Sequence, residues 1–351
     1  MAYTTIDDPT KYFNTVLYSA DASTNISVTV GHQPDFVWIK RRNGTANHVS
    51  FDSVRGTQKG LFPDITNAEA TEGGSRGLTS FDSNGFTIGP QLQDIAGSIN
   101  APSGTYVSWN WLAGGSASSN SNGSITSSVS ASTTAGFSIV SYTGTGANAT
   151  VGHGLGAAPT MIIQKNRIDG QPWWVYHSSI GAGGQLRLSG TDAEGSDGGV
   201  LWNSTAPTST VFSLGDNGGS NGDSDACIAY CFVDVKGYSK IGSYTGNNDN
   251  DGTFVYTGFR PAWVMIKRTD SAQHWFIFDN KRDTDNPHSQ VLLPSSNGAE
   301  ETITSPPMDF LSNGFKLRYA HPNYNSAASY IYMAFAESPF VSSNKVPTNA
   351  R

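Results

Sequence analysis

One ordered series of five sequence patterns occurs three times along this chain, and that triplication constrains the fold more than any single motif does. The first pattern is an alternating strand at 14–18, 138–144 and 240–246, where Tyr18, Tyr142 and Tyr244 hold the same place. The second is an apolar strand that follows a proline and ends in a base: Pro34 to Lys40, Pro159 to Lys165, and Pro261 to Lys267. A third is aromatic, at 48–52, 173–177 and 274–279. The fourth is clearest as Phe81 to Ile88 and Phe310 to Leu317, with only Val211 to Leu214 kept in the middle copy. The fifth runs over 106–111, 227–232 and 330–335. Each copy has roughly the 100 residues of a small domain, longer than the roughly 20–50 residues of a solenoid repeat.

The residues favour strands and turns over helices. Aromatics make up 11% of the 351 residues and charged residues only 14%, and 39 Gly accompany abundant Ser, Thr and Asn. Gly, Asn, Asp and Ser suit turns, while Val, Ile, Thr and aromatics suit a pleated, half-buried surface. The expectation is an all-β chain of three tandem antiparallel β-sandwich domains, jelly-roll or lectin-like. The boundaries are a first repeat over 1–114, a Ser/Gly/Asn-rich linker over 115–136, a second repeat over 137–236, a third over 237–340 and a C-terminal tail over 341–351. The linker composition predicts a flexible or extended segment that sets copy one apart. The short join at Val235-Lys236-Gly237-Tyr238 predicts that copies two and three form a fixed pair. Asn84-Gly85 and Asn313-Gly314 predict hairpins, and Asp94 to Ile99 is the one place for a short helix.

Several function classes are disfavoured by the same reading. The net charge of −7 argues against a nucleic-acid partner. The short basic runs Lys40-Arg41-Arg42 and Lys281-Arg282 read as strand ends. No window has the apolar length of a membrane span, and the start, Met1 to Asp8, lacks a signal-peptide pattern, which predicts synthesis and folding in a cytoplasm. Cys227 and Cys231 lie too far apart along one strand for a disulfide and read as small buried residues. His32 and His153 fall in matching Val-Gly-His turns that read as backbone-bonding sites. Asp52 and Asp279 match one another, but His177 stands at that place in copy two, so no acid–base pair repeats. No nucleophile elbow, zinc-protease or phosphate-loop motif occurs. The runs Asn247 to Gly252 and Asp216 to Asp225 carry oxygen ligands suited to Ca²⁺, yet read better as exposed turns. The expectation is therefore no catalytic residue, no cofactor and no metal.

The aromatics divide. Trp38, Trp111, Trp263 and Phe335 alternate within apolar strands and read as core. Trp173 and Trp174 are adjacent, so a strand points them to opposite faces. This makes Trp173, Trp174, Trp202 and Trp275 the candidate surface or interface residues, for contact between subunits or with a sugar.

The run Val151 to Lys165, with its Val-Gly-His-Gly-Leu-Gly turn and Met-Ile-Ile-Gln-Lys strand, resembles a turn-and-strand repeat of tailed-phage tail-fibre and related virion proteins. Ile241 to Gly246, Phe259 to Arg268 and Met333 to Phe340 are similar to a module of marine-phage virion proteins, cyanophages included, and Tyr12 to Tyr18 looks like the start of such proteins. The resemblance covers copies two and three from about Phe137 onward, and copy one more loosely. It implies a virion structural protein made in a bacterial host cytoplasm, first a tail-fibre or tail-associated appendage that contacts the host surface. The rivals are a capsid decoration or cement protein, a head fibre and, less favoured, a glycan hydrolase. Expected partners are other virion proteins, further copies of the chain in a homo-oligomer with a trimer preferred, and host-surface glycan, without nucleic acid or membrane insertion.

Overall fold

The apolar strand after each proline becomes the hub of a sheet. The computed structural model describes residues 3–73, 75–90, 99–196 and 198–348. Apart from a 3-10 turn at Pro9–Lys11 and one helical turn at Gly218–Asn221, its regular elements are strands, paired antiparallel. No helix among the described residues is long and apolar enough to cross a membrane.

In copy one the sheet order is Phe13–Ser19, Thr105–Trp111, Phe36–Arg41, Val49–Asp52. Copy three repeats it with Ser239–Thr245, Ser329–Pro339, Phe259–Arg268, Trp275–Asp279. Copy two repeats it with Phe137–Thr143, Ala226–Phe232, Met161–Asn166, Trp174–His177, inside a sheet of eight strands. The registers match as well. Phe36 pairs with Asp52 and Trp111, Met161 with His177 and Phe232, and Trp263 with Asp279 and Phe335. The segments expected to correspond do occupy equivalent positions.

Smaller sheets lie over the outer faces: Ile26–Thr29, Gly85–Ile88 and Leu78–Asp82 in copy one, and Phe254–Tyr256, Gly314–Leu317 and Met308–Leu311 in copy three. Copy two keeps two such strands, Ala149–Gly152 and Val211–Leu214. The expected hairpins form, with Asp82 opposite Gly85 and Leu311 opposite Gly314. Their glycines serve close approach. A Cβ on Gly85 would lie 1.9 Å from the Val28 carbonyl oxygen, and one on Gly314 would lie 2.1 Å from that of Val255.

Alternation along the hub strands sorts their side chains into two cores. Val37 and Ile39 point outward into the core under the small sheet of copy one, as Val264 and Ile266 do in copy three. Phe36, Trp38, Met161, Ile163, Trp263 and Met265 point the other way, into a single core shared by all three copies. Trp111, Phe232 and Phe335 hold one register position in the three sheets, and their rings touch pairwise at 6.5, 5.7 and 6.3 Å. That triangle marks an internal pseudo-three-fold axis.

This arrangement corrects several expectations. The segment 115–136 is no loose linker, because Ser118–Asn120 and Ser127–Ser132 extend the copy-two sheet beside Phe137–Thr143. Ser130 Oγ donates to the Gly115 carbonyl at 2.7 Å and accepts from Gly114 N at 3.0 Å. Copy one is not set apart either, since its Trp38, Trp109 and Trp111 lie in the shared core. The join at 235–238 is tight as expected, with Tyr238 N bonded to Val235 O at 2.9 Å. The short helix expected at Asp94 to Ile99 falls mostly outside the described residues.

Replacing Trp111 by Ala removes one corner of the triangle, and the expected loss is about 3–5 kcal/mol of unfolding free energy, the range for a large buried aromatic. Urea denaturation of the two proteins measures it.

Candidate functional site

Trp173, Trp174, Trp202 and Trp275 are all buried, exposed by 1, 6, 1 and 1%, so none lies at an outer surface. Trp173 and Trp174 do point to opposite faces, but both faces of this sheet are covered. Trp173 enters the shared core and Trp174 the core beneath the copy-two outer strands, with Trp202 beside it. Trp173 and Trp275 are interface residues only within the chain. The Trp173 indole N–H donates to the Phe62 carbonyl of copy one at 2.7 Å, and that of Trp275 to the Arg187 carbonyl of copy two at 2.9 Å. His48 holds the same register position in copy one. Its Nδ1 accepts the Trp38 indole N–H at 2.9 Å, so Nε2 carries the proton and donates to the Leu293 carbonyl of copy three at 3.0 Å. Burial holds the His48 pKa well below its ordinary value, which preserves that neutral donor. Phe62, Arg187 and Leu293 each follow the leucine bridged to the third-pattern strand (Leu61, Leu186 and Leu292), so the three bonds form a ring around the axis.

Charged groups complete two of the three junctions. Where copy two meets copy one, Asp52 Oδ2 takes the Arg55 Nε–H at 2.5 Å and the Tyr230 hydroxyl at 2.7 Å. Glu69 then joins Arg55 at 3.0 Å to Arg167 of copy two at 2.8 Å. Where copy one meets copy three, Asp279 takes Arg282 at 2.6 Å and the Trp109 indole at 3.1 Å, and Glu300 joins Arg282 at 3.1 Å to Arg42 of copy one at 2.8 Å. Burial alone would raise the Asp279 pKa, but Arg282 and the hydrogen bonds to it outweigh burial and hold it below the ordinary value. At Glu69 the same balance runs in the same direction through Arg167 and Arg55.

The third junction, between copies three and two, keeps the backbone frame and loses the arginine–carboxylate clasp at the equivalent positions. Glu194 N donates to the Thr269 carbonyl at 2.7 Å, as Glu69 N does to Arg167 and Glu300 N to Arg42, each at 2.8 Å. His177 replaces the aspartate, Met333 the indole or phenol donor, Ile180 the near arginine and Thr269 the far one. Gly184 stands where the other copies have Lys59 and Gln290. An open cleft results, about 530 Å³ in volume, bordered by Ile180, Gly184, Glu194, Ser196, Thr269 and Ser329. A second cavity of about 340 Å³ adjoins it through Ile180, Glu194, Thr269 and Ser329. Glu194 is exposed at the rim, and desolvation by the cleft walls raises its pKa.

The other expected sites resolve into structure. His32 Nδ1 meets the Thr10 carbonyl at 2.9 Å and His153 Nε2 that of Thr208 at 3.1 Å, as turn histidines should. In the run 247–252, Asn247 Oδ1 accepts from Asp249 N at 3.1 Å, Asp249 Oδ1 from Asp251 N at 2.9 Å, and Asp251 pairs with Lys316 at 2.7 Å. No group of three or more His, Cys, Asp or Glu among the described residues is placed to hold a metal ion. Cys227 and Cys231 are buried free thiols. Among the described residues, the exposed rings are Phe254, Tyr256 and Tyr319, all in copy three. Sequence reasoning missed the junctions, although Asp52-x-x-Arg55 and Asp279-x-x-Arg282 against His177-x-x-Ile180 were there to be compared.

Residues 8–339 match the family described as a domain of unknown function, DUF7483. The match spans nearly the whole chain, and the chain belongs to that family. No curated protein and no solved structure matches it.

Glu69→Gln is expected to lower the unfolding free energy by about 1–3 kcal/mol near neutral pH, because two guanidinium groups lose their carboxylate. Glu194→Gln should leave stability unchanged or raise it. The pH dependence has opposite signs. The contribution of Glu69 is complete above the ordinary carboxylate range and is lost as pH falls through its lowered folded value. Ionised Glu194 carries a penalty, which is relieved as pH falls through its raised folded value. Urea denaturation of both variants from about pH 7 to about pH 4 checks the signs.

Proposed function

We propose that this DUF7483 member is a non-enzymatic structural component of a tailed-phage virion, working as a tail-fibre-type or tail-associated appendage. The observation that carries the reading is the internal pseudo-three-fold, centred on Trp111, Phe232 and Phe335. One chain thereby presents three like faces around an axis, the symmetry that fibre assemblies of the resembling proteins use. The finer fold reading belongs with it: each copy is a β-sandwich of jelly-roll or lectin-like kind, its broad sheet backed by a smaller one. The chemistry agrees with a structural role. Asp52 and Asp279, the carboxylates matched in sequence, are spent on Arg55 and Arg282 inside the body.

The homotrimer expected from the sequence rested on outward-facing Trp173 and Trp174. With both rings buried in their own chain, the chain serves as its own trimer and docks as a single copy on other virion proteins. Contact with host-surface glycan would fall to the exposed Phe254 and Tyr256, which share one face of their strand. A capsid decoration protein or head fibre is the second reading, favoured by the close knitting of copies one and three, where Tyr3 bonds Gly258 at 2.9 Å and Ser343 bonds Asp7 at 2.6 Å.

Electron microscopy of particles carrying a label on this protein tests the assignment. Label on the tail supports the appendage, label over the capsid shell replaces it with the second reading, and purified particles without label contradict both. Mass measurement across a dilution series should give a single-chain mass at micromolar concentration. A persistent trimer would overturn the internal-trimer reading.

A further inference from the structure

We propose that the cleft between copies two and three binds a guanidinium group, supplied by the arginine side chain of a partner protein or by a free arginine-like molecule. The inference stands apart from the virion assignment, since it rests on comparing three equivalent junctions within one chain. At two of them a glutamate at the same position is clasped by arginines from both sides: Arg55 and Arg167 on Glu69, Arg282 and Arg42 on Glu300. At the third the glutamate persists as Glu194, and its backbone makes the same inter-copy bond, to Thr269 O at 2.7 Å. Both arginine positions have become uncharged, Ile180 and Thr269, and the space they vacate is the cleft.

The shape of the vacancy states the ligand. Arg167 meets Glu69 through two parallel bonds, Nε to Oε2 at 2.8 Å and Nη2 to Oε1 at 2.9 Å. A carboxylate held in the same backbone frame therefore offers a guanidinium the same fork-to-fork geometry, which a lysine ammonium cannot match. Ile180 gives an apolar wall for a methylene stem, and Gly184 lets that wall and the carboxylate lie close together, because a Cβ there would lie 2.2 Å from Ile180 Cγ2 and 3.0 Å from Glu194 Oε1. The exposure of Glu194 lets the group arrive from solvent.

Titration of the full chain with N-acetyl-arginine amide, with N-acetyl-lysine amide and with the peptide Gly-Gly-Arg-Gly-Gly tests this by heteronuclear NMR. Saturable shifts confined to residues around Glu194, stronger for arginine than for lysine, are expected. Tighter binding of the peptide than of the amide assigns the group to a protein partner, and equal binding assigns it to a small molecule. Glu194→Gln should weaken arginine binding by about tenfold or more, as loss of a charged hydrogen-bond partner does. Thr269→Arg should close the junction from within, raising the melting temperature and abolishing the titration. No saturable response, equal response to lysine, binding undiminished in Glu194→Gln, or binding retained in Thr269→Arg would each overturn the proposal.

Discussion

Each broad sheet carries a row of large apolar side chains on its inner face, and that face can leave water only against the other two sheets. Trp111, Phe232 and Phe335 meet at the axis, with Phe13, Trp38, Trp109, Trp263 and Met265 packed around them. An isolated copy would expose this row as a contiguous apolar patch of the kind that drives association. The outer faces have their own cover, so the hub strands are buried on both sides and read as near-continuous apolar runs. A segment such as Met161-Ile162-Ile163 is thus divided between two cores, one private and one common.

Polar groups around this common core set the order in which the copies meet. A ring nitrogen of His48, Trp173 or Trp275 reaches a backbone carbonyl of the next copy, so every junction carries the same directional bond. The ionic layer beyond it is uneven for a physical reason. A buried aspartate is tolerable only with compensating donors, and where Met333 offers none, His177 stands in the place of Asp52 and Asp279. Removal of acid and donor together avoids an uncompensated charge. Glu194 bears only part of that penalty because it reaches water at the rim, and so an ionisable group survives there without an arginine on either side.

Much of this was legible in the chain and some was not. Four of the five patterns located the broad-sheet strands of all three copies, and Trp38, Trp111, Trp263 and Phe335 were identifiable as core from alternation. Strands such as Ile26–Thr29, Ala149–Gly152 and Phe254–Tyr256 fell outside the patterns. The expectation for Trp173 and Trp174 failed because alternation gives opposite faces without saying whether either is wet. A strand that serves two cores looks the same in sequence as one with a solvent face and two misplaced aromatics. Composition misled at 115–136, since Ser, Asn and Gly are as compatible with an edge hairpin as with a tether when Ser130 supplies the bonds. The cleft at Glu194 was out of reach, because it arises from what three distant segments lack in combination.

The central claim is that three copies share one core and therefore fold as one unit. Equilibrium urea unfolding, followed in parallel by tryptophan fluorescence and far-ultraviolet circular dichroism, tests it most directly. The account predicts one transition with coincident midpoints, whose denaturant slope is roughly three times that of a lone domain of one copy's size. Two or more separated transitions, each with the slope of a single copy, would contradict it.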